Sequence, residues 1–95
     1  MITTSKLLAA IKKSHSNCSD YQVAKLLNVT RGTVSCWARK KTYMSEQVAR
    51  KAAQLLALDE DYVVACVHAE QHKEDDLYPI WERICGKLEE RSRAA

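Results

Sequence analysis

The chain has 95 residues, 46% of them hydrophobic, which suits one small domain, or one domain with a helical extension, and leaves too little for a second core. Two glycines and one proline supply few turns, and no segment alternates β-branched with polar residues as strands do, so the sequence reads as all-α. The net charge of +3 conceals a split: residues 1–58 carry ten Lys/Arg against Asp20 and Glu46, a balance of +8, whereas residues 59–95 carry five against ten acids, a balance of −5. A front half of that sign suits a polyanionic partner.

Leu7, Leu8 and Ile11 recur at helical spacing opposite Lys6, Lys12 and Lys13, which predicts an amphipathic first helix over Thr3 to Lys13. Ser14 to Asn17 is a polar break. Ser19 stands three residues before Gln22 in a capping-box arrangement, so a second helix starts there, with Val23, Ala24 and Leu27 as its buried stripe. Asn28 tolerates the left-handed backbone that ends a helix. Thr30 is a suitable N-cap for a third helix from Arg31 to Lys40, in which Val34 and Trp37 point inward. Ser45 caps a fourth, whose Val48, Ala52, Leu55 and Leu56 are expected to face the core. Asp59 caps a fifth, Glu60 to His72, with Glu60 and Asp61 in the first turn where the helix dipole favours acids. Lys73 to Asp76 forms a polar linker. Pro79 suits the first turn of a sixth helix carrying Ile80, Trp81, Ile84, Cys85 and Leu88 on one side, weakened by Gly86 and fraying through Arg91 to Ala95.

The stretch DYQVAKLLNVTRGTVSCWAR, Asp20 to Arg39, brings the second and third helices together. Two helices joined by a tight turn cross steeply. Their packing needs a small residue within the first helix, a turn residue able to take positive φ, and bulky apolar residues on the second. Ala24, Asn28, Val34 and Trp37 supply these in order, and the second helix is then left protruding as in a helix-turn-helix. The stretch resembles the lambda-repressor-like, or Xre-type, family: a small residue, a turn residue four later, a branched aliphatic six further on and another apolar three after that. The closing VSCWARKKT is similar to the VSxWxxGK ending of phage and prophage regulators. Asn28 stands where that pattern usually has glycine, and Lys40 stands at the glycine that usually ends the recognition helix.

The resemblance implies a five-helix DNA-binding domain over residues 1–72, with residues 73–95 as linker and sixth helix. Double-stranded DNA is then the expected partner. Arg31 is expected to read guanine bidentately, or else to clamp phosphate. Gly32 would let the backbone approach bases closely. Thr30, Thr33, Ser35 and Cys36 face the same groove, while Arg39, Lys40 and Lys41 grip phosphates. Tyr21 and Gln22 are expected at a phosphate near the start of the second helix, with simple packing as the alternative for Tyr21.

Other chemistry finds little support. Cys18, Cys36, Cys66 and Cys85 show no CxxC spacing, and His68 and His72 lack a third convergent ligand, so no metal or other cofactor is expected. There is no nucleophile set beside a base, no apolar carboxylate pair and no phosphate loop, so neither catalysis nor a small-molecule effector is expected. No apolar run reaches the length of a membrane span or a leader, which makes the cytoplasm, at the nucleoid, the expected location. The function that follows is a transcriptional regulator, and the resemblance implies a phage or prophage repressor; an antitoxin or accessory DNA-binding protein and a protein-interaction module are the alternatives. Family members generally bind as pairs. The Trp81, Ile84, Cys85 and Leu88 stripe is the expected homodimer seat, with packing on its own chain as the competing arrangement.

Overall fold

The computed structural model describes residues 1–94, all of whose regular structure is helical: α1 Thr4–Ser14, α2 Asp20–Leu27, α3 Arg31–Ala38, α4 Glu46–Leu56, α5 Glu60–Gln71 and α6 Tyr78–Ala94. Five of the six starts are capped by side chains. Ser19, Thr30, Ser45 and Asp59 each accept a hydrogen bond from the backbone N–H three residues on, as the sequence predicts, and Ser19 and Gln22 form the full reciprocal box. Thr3, expected as the first residue of α1, is instead its N-cap and accepts from Lys6 N–H. Each such cap is worth about 1 kcal/mol.

Leu7, Leu8 and Ile11 of α1 meet Val23, Ala24 and Leu27 of α2, Val34 and Trp37 of α3, and Val63 and Val67 of α5 in one core. Trp37 is 2% exposed, so the indole is a packing element and not a stacking platform. Met44, in the connection between α3 and α4, is fully buried in the same core. The α4 face differs from its expected composition. Its fully buried residues are Ala49, Ala52 and Ala53, while Val48, Leu55 and Leu56 pack only along the edge. Alanines bring the α4 backbone close to its neighbours, and the larger side chains fill the flanks.

Two further differences concern helix ends. α3 stops at Ala38, two residues before the expected Lys40, because Lys40 itself adopts the left-handed conformation at φ 59° and its neighbours close the helix: Lys41 N–H donates to Cys36 O and Lys40 N–H to Trp37 O. α6 does not fray at Arg91. The Arg91 guanidinium reaches both Asp59 and Asp61 at 3.1 Å, tying its last turns to the start of α5, and the helix continues to Ala94; Ala95 lies outside the described residues.

α6 packs along α5. Cys85 is fully buried against Cys66 and Ala69, and Trp81 lies edge-on to His68 with ring centroids 4.6 Å apart. Burial and the neighbouring Cys66 sulfur push the Cys85 thiol up to about 12, so it stays neutral and behaves as a small apolar side chain. The side of α6 bearing Cys85 is therefore occupied within the chain. Ile80 and Ile84, expected on the same side as Cys85, are instead exposed along its flank, with Leu77 exposed just ahead of the helix. No helix of the described residues is long and apolar enough to cross a membrane.

Candidate nucleic-acid interface

The α2–α3 hairpin is built by its turn. Asn28, at φ 55° and ψ 48°, reverses the chain, and Val29 N–H closes the end of α2 on Ala24 O at 3.0 Å. Thr30 then restarts the helix: its Oγ1 accepts from Thr33 N–H at 3.1 Å and lies 2.8 Å from Thr33 Oγ1. With Val34 and Trp37 holding the inner side, the outer side of α3 is fixed by helical phase. Arg31, Gly32 and Arg39 are exposed, and Thr33, Ser35 and Cys36 are half-buried beside them.

A Cβ added at Gly32 would meet nothing nearer than Thr30 Oγ1, at 3.9 Å. The fold itself has no steric need for glycine there. An exposed glycine in a helix is an unforced loss of stability unless something outside the chain comes close.

Arg39 Nε donates to Ser35 O at 3.4 Å, which lays the side chain along the outer face. Lys40, Lys41, Thr42 and Tyr43 follow as an exposed strip, Tyr43 being 42% exposed. Thr42, Tyr43 and Ser45 share one open groove with Thr30, Gly32, Thr33, Cys36 and Arg39. Helical periodicity gives no sign of Thr42 or Tyr43, because a loop residue has no phase to read. Their signal in the sequence is adjacency alone: two hydroxyl groups directly after a basic triplet.

At the other end of the hairpin Tyr21 is 53% exposed, and Lys25 Nζ sits 4.9 Å from its ring centroid. Tyr21 thus stands out from the core. Gln22 uses its Oε1 to accept from Ser19 N–H, so its amide NH2 remains to donate outward.

Electrostatics unify the face. Residues 21–45 contain Lys25, Arg31, Arg39, Lys40 and Lys41 and no carboxylate. The two acids that flank the segment are engaged elsewhere, Asp20 with Lys12 and Glu46 with His68. Among the described residues the other contacts between basic side chains and carboxylates also lie elsewhere, at Arg50–Glu60, His72–Asp75, Arg91–Asp59, Arg91–Asp61 and Arg93–Glu89, so none of those five cations is neutralised by a carboxylate within 4.0 Å. α3 also starts on this face, and its N-terminal dipole adds partial positive charge beside Arg31. The structure thus gathers all eleven expected residues, Tyr21, Gln22, Thr30, Arg31, Gly32, Thr33, Ser35, Cys36, Arg39, Lys40 and Lys41, onto α2, α3 and the connections that flank α3. Ser35 and Cys36 are less open than helical phase alone suggests. Compared with protein-family models, with curated proteins and with solved structures, the chain finds no match.

Proposed function

We propose that the protein is a sequence-specific double-stranded DNA-binding regulator of transcription that inserts the N-terminal half of α3 into a major groove. The observation that carries this reading is the outer face of α3: a forked donor, a bare glycine and unpaired cations on a rigid hairpin, with no acid among them. The order of α1 to α5 and the α2–α3 crossing support a lambda-repressor-like arrangement, and the VSCWARKKT ending supports a place among phage or prophage repressors. The protein acts by occupancy, without catalysis, cofactor or small-molecule effector, in the compartment that holds the DNA.

Selection of bound duplexes from a random pool, followed by titration of the selected site against salt, tests this. A defined consensus and a log–log salt slope of about −4 to −5 for each bound copy, one phosphate for each of the five unpaired cations, support it. Arg31→Ala should relax the consensus at one position and cost about 1 to 3 kcal/mol, whereas Lys41→Ala should weaken all duplexes alike. Sequence-blind binding with equal losses for both variants would refute base reading.

The working form is a homodimer. Cys85 is occupied within the chain, so the available surface is the Leu77, Ile80 and Ile84 stripe, and its occupant is a second copy of α6. An antiparallel pairing about a two-fold axis would bring Glu74, Asp75 and Asp76 of one copy toward Arg83 and Lys87 of the other, among Glu82, Glu89 and Glu90. Sedimentation of the intact chain and of Ile84→Glu checks this, and a monomeric parent at about 100 μM, where even a weak pair with a Kd of about 10 μM would form, would refute it.

A further inference from the structure

The connection between α3 and α4 is held by a polar relay that the DNA reading does not by itself require. Thr4, at the start of α1, is 2% exposed and is the buried polar side chain of the described residues. Its Oγ1 donates to Glu70 Oε1 at 2.5 Å and accepts from Met44 N–H at 3.2 Å. A backbone N–H can only donate and a hydroxyl has one proton, so the relay runs from Met44 N–H to Thr4 Oγ1 and from Thr4 O–H to Glu70 Oε1. Glu70 Oε1 also accepts from Thr4 N–H at 2.9 Å, anchoring the carboxylate at the start of α1. On the other side of the same residue, Gln71 Nε2 donates to Met44 O at 2.7 Å.

Both backbone polar groups of Met44 are thus fastened by side chains of α1 and α5, and its own side chain is fully buried. A single residue of a connection is held on three sides. The residues just before it are Lys40, Lys41, Thr42 and Tyr43, all exposed, and Lys40, Thr42 and Tyr43 line a cleft together with Thr4 and Glu70. We propose that Thr4, Glu70 and Gln71 are positioning residues for DNA binding, which fix the Lys40–Tyr43 strip beside α3 so that its two ammonium groups and two hydroxyl groups meet the phosphate backbone as one preorganised unit. This rests on the DNA reading of the α3 face.

The polarity of the relay gives the test its selectivity. Thr4→Val keeps the shape and removes the hydroxyl, leaving both Met44 N–H and Glu70 short of a partner. Thr4→Ser restores the hydroxyl. Gln71→Leu releases the carbonyl side from a half-buried position and keeps the idea testable should Thr4→Val fail to fold. The full chain is titrated with a selected duplex at several salt concentrations, and native-state hydrogen exchange is read at the amides of residues 41–45. Thr4→Val and Gln71→Leu should each speed exchange in that segment and reduce the salt slope by about 1 to 2, which is roughly eightfold in affinity at 0.1 M salt for each phosphate no longer neutralised. Thr4→Ser should return both readouts to the parental values. A parent that binds no duplex would sink the DNA reading and this proposal with it. A parent that binds, with Arg31→Ala weakened but Thr4→Val and Gln71→Leu keeping the parental slope, would overturn the positioning role alone. Affinity losses that merely track melting temperature, without rescue by serine, would also overturn it.

Discussion

Replacing Gly32 with alanine separates what the fold needs from what the partner needs. Gly32 lies in the first turn of α3, is exposed, and has open space where a Cβ would point. Alanine is favoured over glycine in a helix by about 0.5 to 1 kcal/mol, chiefly because the unfolded chain has less freedom to lose. The first turn recovers less than an interior position, so about 0.5 kcal/mol is the expected gain. A 95-residue chain unfolds with an entropy of about 0.2 kcal/mol/K, which converts that gain to a rise of about 2 to 3 °C in Tm. Binding should move the other way. A methyl group forced into a packed interface costs about 1 to 3 kcal/mol, or about five- to 150-fold in Kd. Thermal unfolding followed by circular dichroism, together with fluorescence anisotropy on the selected duplex, reads both quantities from one preparation. A variant that melts higher and binds as tightly as the parent would remove the close-approach argument for this glycine. One that melts lower would show that the fold needs glycine after all.

Trp37→Ala removes the largest fully packed side chain and should cost about 3 to 5 kcal/mol, a fall of about 15 to 25 °C in Tm; a variant melting with the parent would place the indole outside the core. Lys40→Gly relieves a side chain at φ 59° and should stabilise by about 0.5 to 1 kcal/mol while weakening DNA binding through the missing charge, so destabilisation would contradict the left-handed assignment. Acid should loosen the junctions of α4 and α6 with α5: the Tyr62 amide and then Arg91 hold the Asp59 carboxyl below its usual range, and the Glu46 backbone amide and then His68 do the same for Glu46. Both folded-state values are depressed, so their stabilisation is complete above about pH 4.5, where the unfolded carboxyls are ionised, and is lost as pH falls through the folded values; Arg91→Ala should therefore show a shallower acid decline in melts between about pH 2.5 and 6, and an unchanged decline would exclude the clamp.

The parts of this fold legible in the sequence are those governed by local chemistry. Caps are one-residue decisions, because a Ser, Thr or Asp oxygen either reaches the N–H three residues on or does not, and the caps predicted at Ser19, Thr30, Ser45 and Asp59 all close. The inward phase of Val34 and Trp37 is equally local. Positions set by what arrives from elsewhere in the chain are not legible in this way. Met44 carries no periodic signal, yet it is fully buried because α1 and α5 converge on the connection that holds it, bringing Thr4 and Gln71 from 40 and 27 residues away. Arg91 reads as the fraying end of a polar helix until Asp59 and Asp61, 32 and 30 residues earlier, are found beside it. The α4 face departs from its pattern for a related reason: large aliphatics at helical spacing look like a core stripe, but the close packing of α4 on α5 favours the alanines, and Val48, Leu55 and Leu56 are turned to the margin.

Lys40 shows how a local rule and a longer-range demand meet at one residue. A left-handed residue after a helix calls for glycine or asparagine, and Asn28 and Lys40 occupy comparable positions after α2 and α3, at φ 55° and 59°. Asn28 follows the rule. Lys40 breaks it, at a cost of about 1 kcal/mol relative to an unstrained residue. Ser16 and Ala57 carry the same strain in the turns after α1 and α4, and nothing in the structure explains those two. For Lys40 no ion pair within the chain offsets the strain, since it is exposed and meets no carboxylate among the described residues. Gly32 presents the same imbalance in reverse, a residue too small for its place in a helix where Lys40 is too large for its place in a turn. The two departures lie at opposite ends of α3, within the segment 21–45 that carries no acid of its own, and both become intelligible if that segment is selected for contact with a polyanion as well as for folding.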